Sequence, residues 1–303
     1  MSDDLVVKSR SDIVKGSKSF SLASFFFDQD RREAAWLLYA WCRYCDDQVD
    51  NSSPEDIQSV VQELKFKTLE SLRGVEFNEH PWPSFQKICT KYKIPNQYPL
   101  DLIEGFERDA ERKPIQDQTD LNKYCYGVAS TVGLMMCYIM GVSSQKALAY
   151  AVSLGRAMQM TNIARDVSLD YSSKRIYLPL TWLEQRELHI DSLLESDNRR
   201  KLSLVVTQLL DEADKHYAQA KLGLEYLPLR SAWAVASALE IYKSIGVKIR
   251  KNVLLSFDRR TVVSTPEKII CIFRASLKVL LMMKSRIFNP WQKATSLEVW
   301  SKS

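Results

Sequence analysis

Two segments of this 303-residue chain repeat apolar residues at helical spacing and then end in carboxylates. An α-helix turns about 100° per residue, so positions three, four and seven apart share a face. In the first segment, over 30–51, Tyr39, Arg43, Asp46 and Asp50 fall on one stripe, with Trp36 and Asp47 at its edge. In the second, Leu148, Val152, Gly155, Gln159, Asn162, Asp166 and Asp170 form one stripe. Like charges four apart destabilise a bare helix, and carboxylates at its C-terminus oppose the helix dipole. Divalent cations would remove both penalties. We therefore read the two clusters as metal-holding ends of helices that wall an apolar pocket. An isolated acidic helix end is more often simply solvated; two such ends on two apolar helices carry the metal reading.

The rest of the chain is patterned to match. It has 9 Gly and 10 Pro, few for its length, and no sustained period-two alternation. Helical periods predict helices near 9–27, 30–51, 53–73, 82–93, 97–111, 119–140, 144–171, 199–225, 230–256 and 265–285. Ser53-Pro54-Glu55-Asp56 and Thr265-Pro266-Glu267 read as helix starts, with a cap followed by Pro. Residues 172–180 read as a loop. No linker or fixed repeat interrupts the pattern, so one all-α domain over 1–303 is expected, with its helices around a central cavity. Small residues such as Gly127, Ala129, Ser130 and Gly133 would make room for that cavity.

Charge and cysteine usage bound the partners. The net charge of +5 comes without a dense Lys/Arg block, which argues against a nucleic-acid arm. The six cysteines lie mostly inside apolar helical patterns, and Cys42-Arg43-Tyr44-Cys45 has no second pair or His partner for zinc. Met1-Ser2-Asp3-Asp4 starts no secretory leader pattern, so a cytoplasmic chain with reduced thiols is expected. No run of about 18 apolar residues spans a bilayer. In the last helix Ile269, Ile270, Phe273, Leu277, Leu280 and Leu281 alternate with Lys268, Arg274, Lys278 and Lys284. Such a basic amphipathic helix suits a membrane surface, but the expectation is that its apolar face joins the core.

Five stretches in order carry a family resemblance: Gly16-Ser17-Lys18-Ser19-Phe20-Ser21; Leu38–Asp50; Tyr124-Cys125-Tyr126-Gly127-Val128-Ala129; Gly155–Val167; and Asp170 followed by Arg175-Ile176-Tyr177-Leu178-Pro179. With these the chain resembles the squalene/phytoene synthases, the head-to-head prenyl transferases, and most closely the bacterial phytoene synthases. It departs from the family pattern at Ser168-Leu169, where Gly-Glu is usual, and at Ser130, often Gly. Neither change removes an expected ligand.

The resemblance implies a class I isoprenoid synthase fold and the joining of two geranylgeranyl diphosphates, via prephytoene diphosphate, to phytoene. It implies Mg²⁺, with Mn²⁺ as a substitute, and no NADPH. Carried onto this sequence, Asp46, Asp47 and Asp50 would hold metal on one wall, and Asn162, Asp166 and Asp170 on the other. Arg43, Arg165 and Arg260 would contact diphosphate oxygens, where a guanidinium fork fits. Ser17 and Ser19 would donate to a diphosphate, Gln159 would face the substrate, and Arg175 and Tyr177 would cover the site. Phe20, Tyr39, Tyr124 and Tyr242 would shield carbocations. The plain alternatives stand beside these roles: Gln159, Tyr39 and Trp36 as packing residues, Ser17 and Ser19 as helix caps. Two further readings stay open, a dehydrosqualene or squalene synthase using farnesyl diphosphate, and a non-catalytic relative acting as a binding or assembly protein. A long hydrocarbon product suggests peripheral contact with a membrane.

Overall fold

The computed structural model describes Ser9, residues 22–53 and residues 55–288, with side chains to 283. The expected first helix lies largely outside these residues, as do Ser17, Ser19 and Phe20. Every regular element among the described residues is helical. Helix α1 (Gln29–Asp50) opens on Asp28, whose carboxylate accepts from the Arg31 amide at 3.0 Å. It is followed by α2 (Ile57–Arg73), α3 (Trp82–Tyr92) and α4 (Gln97–Ala110). At the start of α2, the Ser53 hydroxyl accepts from the Asp56 amide and the Ser53 carbonyl from the amides of Asp56 and Ile57. The predicted cap is thus made, ahead of a helix that becomes regular at Ile57.

The predicted helix over 119–140 forms as one run with a fault in it. Helix α5 (Gln118–Cys125), capped by Asp117, widens into a π-helical turn at Tyr126–Ser130 and resumes as α6 (Thr131–Ile139). The cause is close packing. A Cβ on Gly105 of α4 would come within 2.7 Å of the Gly127 carbonyl carbon, so the two backbones touch there. Ser144 caps α7 (Gln145–Ser172), the longest helix described. A Cβ on Gly155 of α7 would sit 2.5 Å from the Ser130 Cα. Small residues therefore bring helices together here, besides hollowing the space between them.

The chain closes with α8 (Leu180–Glu184), α9 (Arg199–Leu222), α10 (Leu229–Lys251), α11 (Val253–Ser256) and α12 (Thr265–Phe288). The single helix expected over 230–256 is broken at Asn252, whose extended φ of −157° stops α10 and whose side chain caps α11 at the Leu255 amide, 3.1 Å. At α12 the cap is Ser264, one residue before the predicted Thr265. Glu267 accepts from both the Ser264 amide (2.6 Å) and its hydroxyl (2.8 Å), the carboxylate half of a capping box.

Two buried clusters hold the fold. One joins α1 to α4, α6 and parts of α10 and α12; the other joins α5, α7, α8, α9 and the rest of α10. Val128 of the π turn packs against both. All six cysteines are buried as free thiols. Burial pushes the thiols of Cys42, Cys45, Cys89, Cys125 and Cys137 up from their ordinary range.

Helix α12 overturns one expectation. Its buried stripe is Cys271, Ala275 and Val279, small residues seated along α10. Ile269, Ile270, Phe273, Leu277, Leu280 and Leu281 are exposed, Phe273 to 71%. The larger apolar arc points outward, because the neighbouring helix accepts only the narrow side.

Candidate active site

A cavity of about 340 Å³ lies where the two clusters meet. Helix α1 contributes Tyr39, Cys42, Arg43, Asp46 and Asp50, and α7 contributes Gln159, Asn162, Ile163, Asp166 and Asp170. Phe106 and Asp109 of α4, Tyr124 of α5, Val128, Val132, and Arg175 and Tyr177 of the loop after α7 complete it. The two acidic helix ends thus line one cavity. A second, apolar cavity of about 200 Å³ adjoins it and shares Val132. Its walls include Ala147, Tyr150, Ala151, Leu154, Gly155 and Met158 of α7, so α7 runs from an apolar chamber into a polar one.

Charge is distributed unevenly among the carboxylates. Asp166 receives two parallel bonds from Arg260 (2.7 and 3.0 Å) and another set from Arg165, the shortest at 2.5 Å. Burial raises its pKa, but the two guanidiniums outweigh that and hold it below the ordinary value. At Asp170 the pull of Arg175 and Arg165 is the weaker side. Burial first, then Asp166 and Asp109, push it up to about 7. On α1, burial and the neighbouring Asp50 push Asp46 up to about 6, against the pull of Arg43. Asp50 accepts from Arg175 at 2.7 Å, a bond that ties the loop after α7 to the end of α1.

Asp109 is a site residue that the sequence motifs did not flag. It accepts from the hydroxyls of Tyr177 (2.5 Å) and Tyr124 (3.2 Å), whose rings stack at 4.9 Å, and Arg175 lies 3.6 Å away. Burial raises its pKa despite these donors. The signal was the spacing Leu102, Phe106, Asp109, an acid placed on the buried face of α4. Cys42 also reaches the cavity wall, as an inert buried thiol.

Four expected site residues stand outside the lining. Asp47 pairs with Arg43 at 2.5 Å instead of facing the cavity. Arg165 and Arg260 sit behind Asp166. Tyr242 packs at the edge of the second cluster, near enough to Tyr39 and Arg260 to influence their charge.

The donor set fits a hard cation. Five carboxylates (Asp46, Asp50, Asp109, Asp166 and Asp170) line the cavity against two arginines, Arg43 and Arg175. The Asn162 side-chain oxygen is buried without a hydrogen-bond partner. A buried orphan acceptor and two carboxylates whose pKa values burial and neighbouring acids push up mark a place short of positive charge. Among the described residues, no three acidic, His or Cys side chains converge enough to hold a metal alone. Mg²⁺ tolerates that, since it keeps waters and takes substrate phosphates beside one or two carboxylates.

Comparison with known proteins gives the family. The model of the family "Squalene/phytoene synthase" matches residues 13–267. The chain is 38% identical to a 15-cis-phytoene synthase of Pantoea ananas, covering 88% of this chain and 89% of that one. It is 40% identical to a 15-cis-phytoene synthase of Enterobacter agglomerans, covering 86% and 91%. A solved dehydrosqualene synthase superposes with a TM-score of 0.83 at 27% identity, covering 90% of this chain and 95% of the other. By sequence and by fold, this chain belongs to the squalene/phytoene synthase family.

Proposed function

We propose that this protein is a prenyltransferase that joins two geranylgeranyl diphosphates head to head, through prephytoene diphosphate, to phytoene, the first committed hydrocarbon of carotenoid biosynthesis. One observation carries the reading: a carboxylate-lined cavity and an apolar one share the wall residue Val132, and α7 lines both. A molecule with a charged head and a long hydrocarbon tail matches that division. The twenty-carbon choice rests on the relatives named phytoene synthase at 38% and 40% identity.

Asp46 and Asp50 would hold Mg²⁺ on one wall, and Asn162, Asp166 and Asp170 on the other. When bound, Mg²⁺ supplies the charge neutralisation that makes diphosphate a competent leaving group. Arg43, Arg175 and Arg260 are within the same charge network and would bind diphosphate oxygens through charge-assisted bonds. Tyr39, Tyr124 and Tyr177 line the polar chamber, where their rings would face a forming carbocation. The Tyr124 and Tyr177 hydroxyls are already engaged by Asp109, which fixes both rings. The released diphosphate would accept the proton lost in each half-reaction. The product is a long hydrocarbon, and peripheral contact with a membrane would give it an exit.

The test is incubation of the purified chain with Mg²⁺ and either geranylgeranyl or farnesyl diphosphate, with product mass read out. A forty-carbon product with a conjugated triene chromophore from the first substrate, lost with EDTA, is expected. A thirty-carbon product would move the protein to the dehydrosqualene branch, which the solved neighbour represents. No product from either would leave a non-catalytic relative.

A further inference from the structure

We propose that the outward face of α12, together with α11 and the loop that follows it to residue 264, is a docking surface for anionic lipid headgroups, and that it borders the mouth of the active site. The inference deepens the peripheral-membrane part of the proposed function by naming the surface and its chemistry.

The face is built inside out relative to an ordinary surface helix. Cys271, Ala275 and Val279 turn inward and Met282 packs against the core, while Ile269, Phe273, Leu277 and Leu280 form a continuous exposed ridge. Such a ridge in water is an interaction site more often than an accident. The apolar surface continues beyond the helix through Val262, Leu254 and Leu255, all exposed. Three bonds lock this segment between helix and active site. Lys248 bridges the Val262 carbonyl (2.7 Å) to Glu267 at the start of α12 (2.9 Å), and the Ser168 hydroxyl of α7 donates to the Phe257 carbonyl (2.7 Å). Arg260, from the same loop, grips Asp166 in the cavity, and Leu169 beside Asp170 is itself 58% exposed.

Charge decides between partners. Residues 247–283 carry eight Lys or Arg against Asp258 and Glu267 alone, whereas the whole chain nets only +5. Some of these cations are used internally, such as Lys278 on Glu240 and Arg250 on Asp211. Lys251, Arg259, Lys268 and Arg274 make no ion pair among the described residues, and Arg274 lies one turn from exposed Ile270 and from Leu277 of the ridge. Exposed aliphatic and aromatic side chains in a segment with unpaired cations match an anionic bilayer interface. A second copy of the same face would bring like charges together.

Flotation of the full chain with vesicles of phosphatidylcholine, with and without phosphatidylglycerol, tests this. Binding to the anionic vesicles is expected, weakened by high salt. The double variant Phe273→Glu, Leu277→Glu should weaken it at least about tenfold, and Lys268→Glu with Arg274→Glu should weaken it severalfold, both with unchanged helix content. Equal binding of the Phe273→Glu, Leu277→Glu variant would overturn the proposal. So would a dimer in sedimentation equilibrium that the same variant dissociates, or vesicle binding that appears only once residues 289–303 are removed. Turnover of geranylgeranyl diphosphate in detergent, measured in parallel, reads the chemistry separately: its absence would sink the enzymatic reading while leaving vesicle binding to stand or fall on its own.

Discussion

The acidic ends of α1 and α7 look alike in sequence and are held in opposite electrostatic states. On α7, Asp166 is clamped by Arg165 and Arg260 and stays ionised below the ordinary range. On α1, Asp46 is buried beside Asp50 and its pKa rises to about 6. Two guanidiniums outweigh burial at Asp166, whereas at Asp46 burial and Asp50 outweigh the single guanidinium of Arg43. The pairing teaches where exogenous charge has to enter: through Asp46 and Asp170, with Asp166 freed only when Arg260 finds another anion.

The largest expected effect erases the difference in function and exposes it in stability. Asp46→Asn and Asp166→Asn should each cost at least about a thousandfold in turnover. Thermal melts in EDTA should then separate them. Asp46→Asn removes a carboxylate that resists burial and should raise the midpoint, by about 1 kcal/mol of stability once its partial exposure is allowed for. Asp166→Asn leaves Arg165 and Arg260 facing one another and should lower it. Midpoints that move together would break the comparison between the walls.

pH sharpens it next. Asp46 and Asp170 have folded-state pKa values above the ordinary carboxylate value, so the metal-free fold binds their protons more tightly than the unfolded chain does. Their stabilising contribution is complete below about pH 4 and is lost as pH rises through about 6 to 7. Saturating Mg²⁺ should flatten that decline. Because protons and metal compete for the same oxygens, the Mg²⁺ concentration for half-maximal activity should fall severalfold between about pH 6 and pH 8. A pH-independent metal requirement would remove Asp46 and Asp170 from the ligand set.

Two smaller effects mark the edges of the site. Asp109→Asn loosens the Tyr124 and Tyr177 hydroxyls and the nearby Arg175, and should slow turnover about ten- to a hundredfold with the fold retained by circular dichroism. Asp47→Asn breaks only the partly exposed pair with Arg43, and should change turnover by less than about fivefold. A thousandfold loss at Asp47 would place it back among the metal ligands.

Much of this arrangement was legible in residue spacing. The stripe from Leu148 to Asp170 correctly anticipated a helix that changes from apolar to polar along one face, because period and side-chain type both survive folding. Asp109 was missed because it sits in a charged run, Glu107-Arg108-Asp109, that reads as a solvated end unless its register with Phe106 is followed. The break at Asn252 depends on a local cap that competes with continued helix by a small margin. The outward face of α12 could not be read at all: a helical period shows that an apolar arc exists, and only the partner helix decides which side is taken in. Here α10 accepts Cys271, Ala275 and Val279 and leaves the bulkier residues in water.

The six buried thiols give the molecule an internal clock. A thiol reagent needs an accessible thiolate, and burial withholds access from every one of them. Labelling of the native chain therefore proceeds only as fast as its helices open. Cys42 and Cys45 sit on α1, Cys89 on α3, Cys125 on α5, Cys137 on α6 and Cys271 on α12, so mass-resolved labelling rates would time the opening of five separate helices within a single chain.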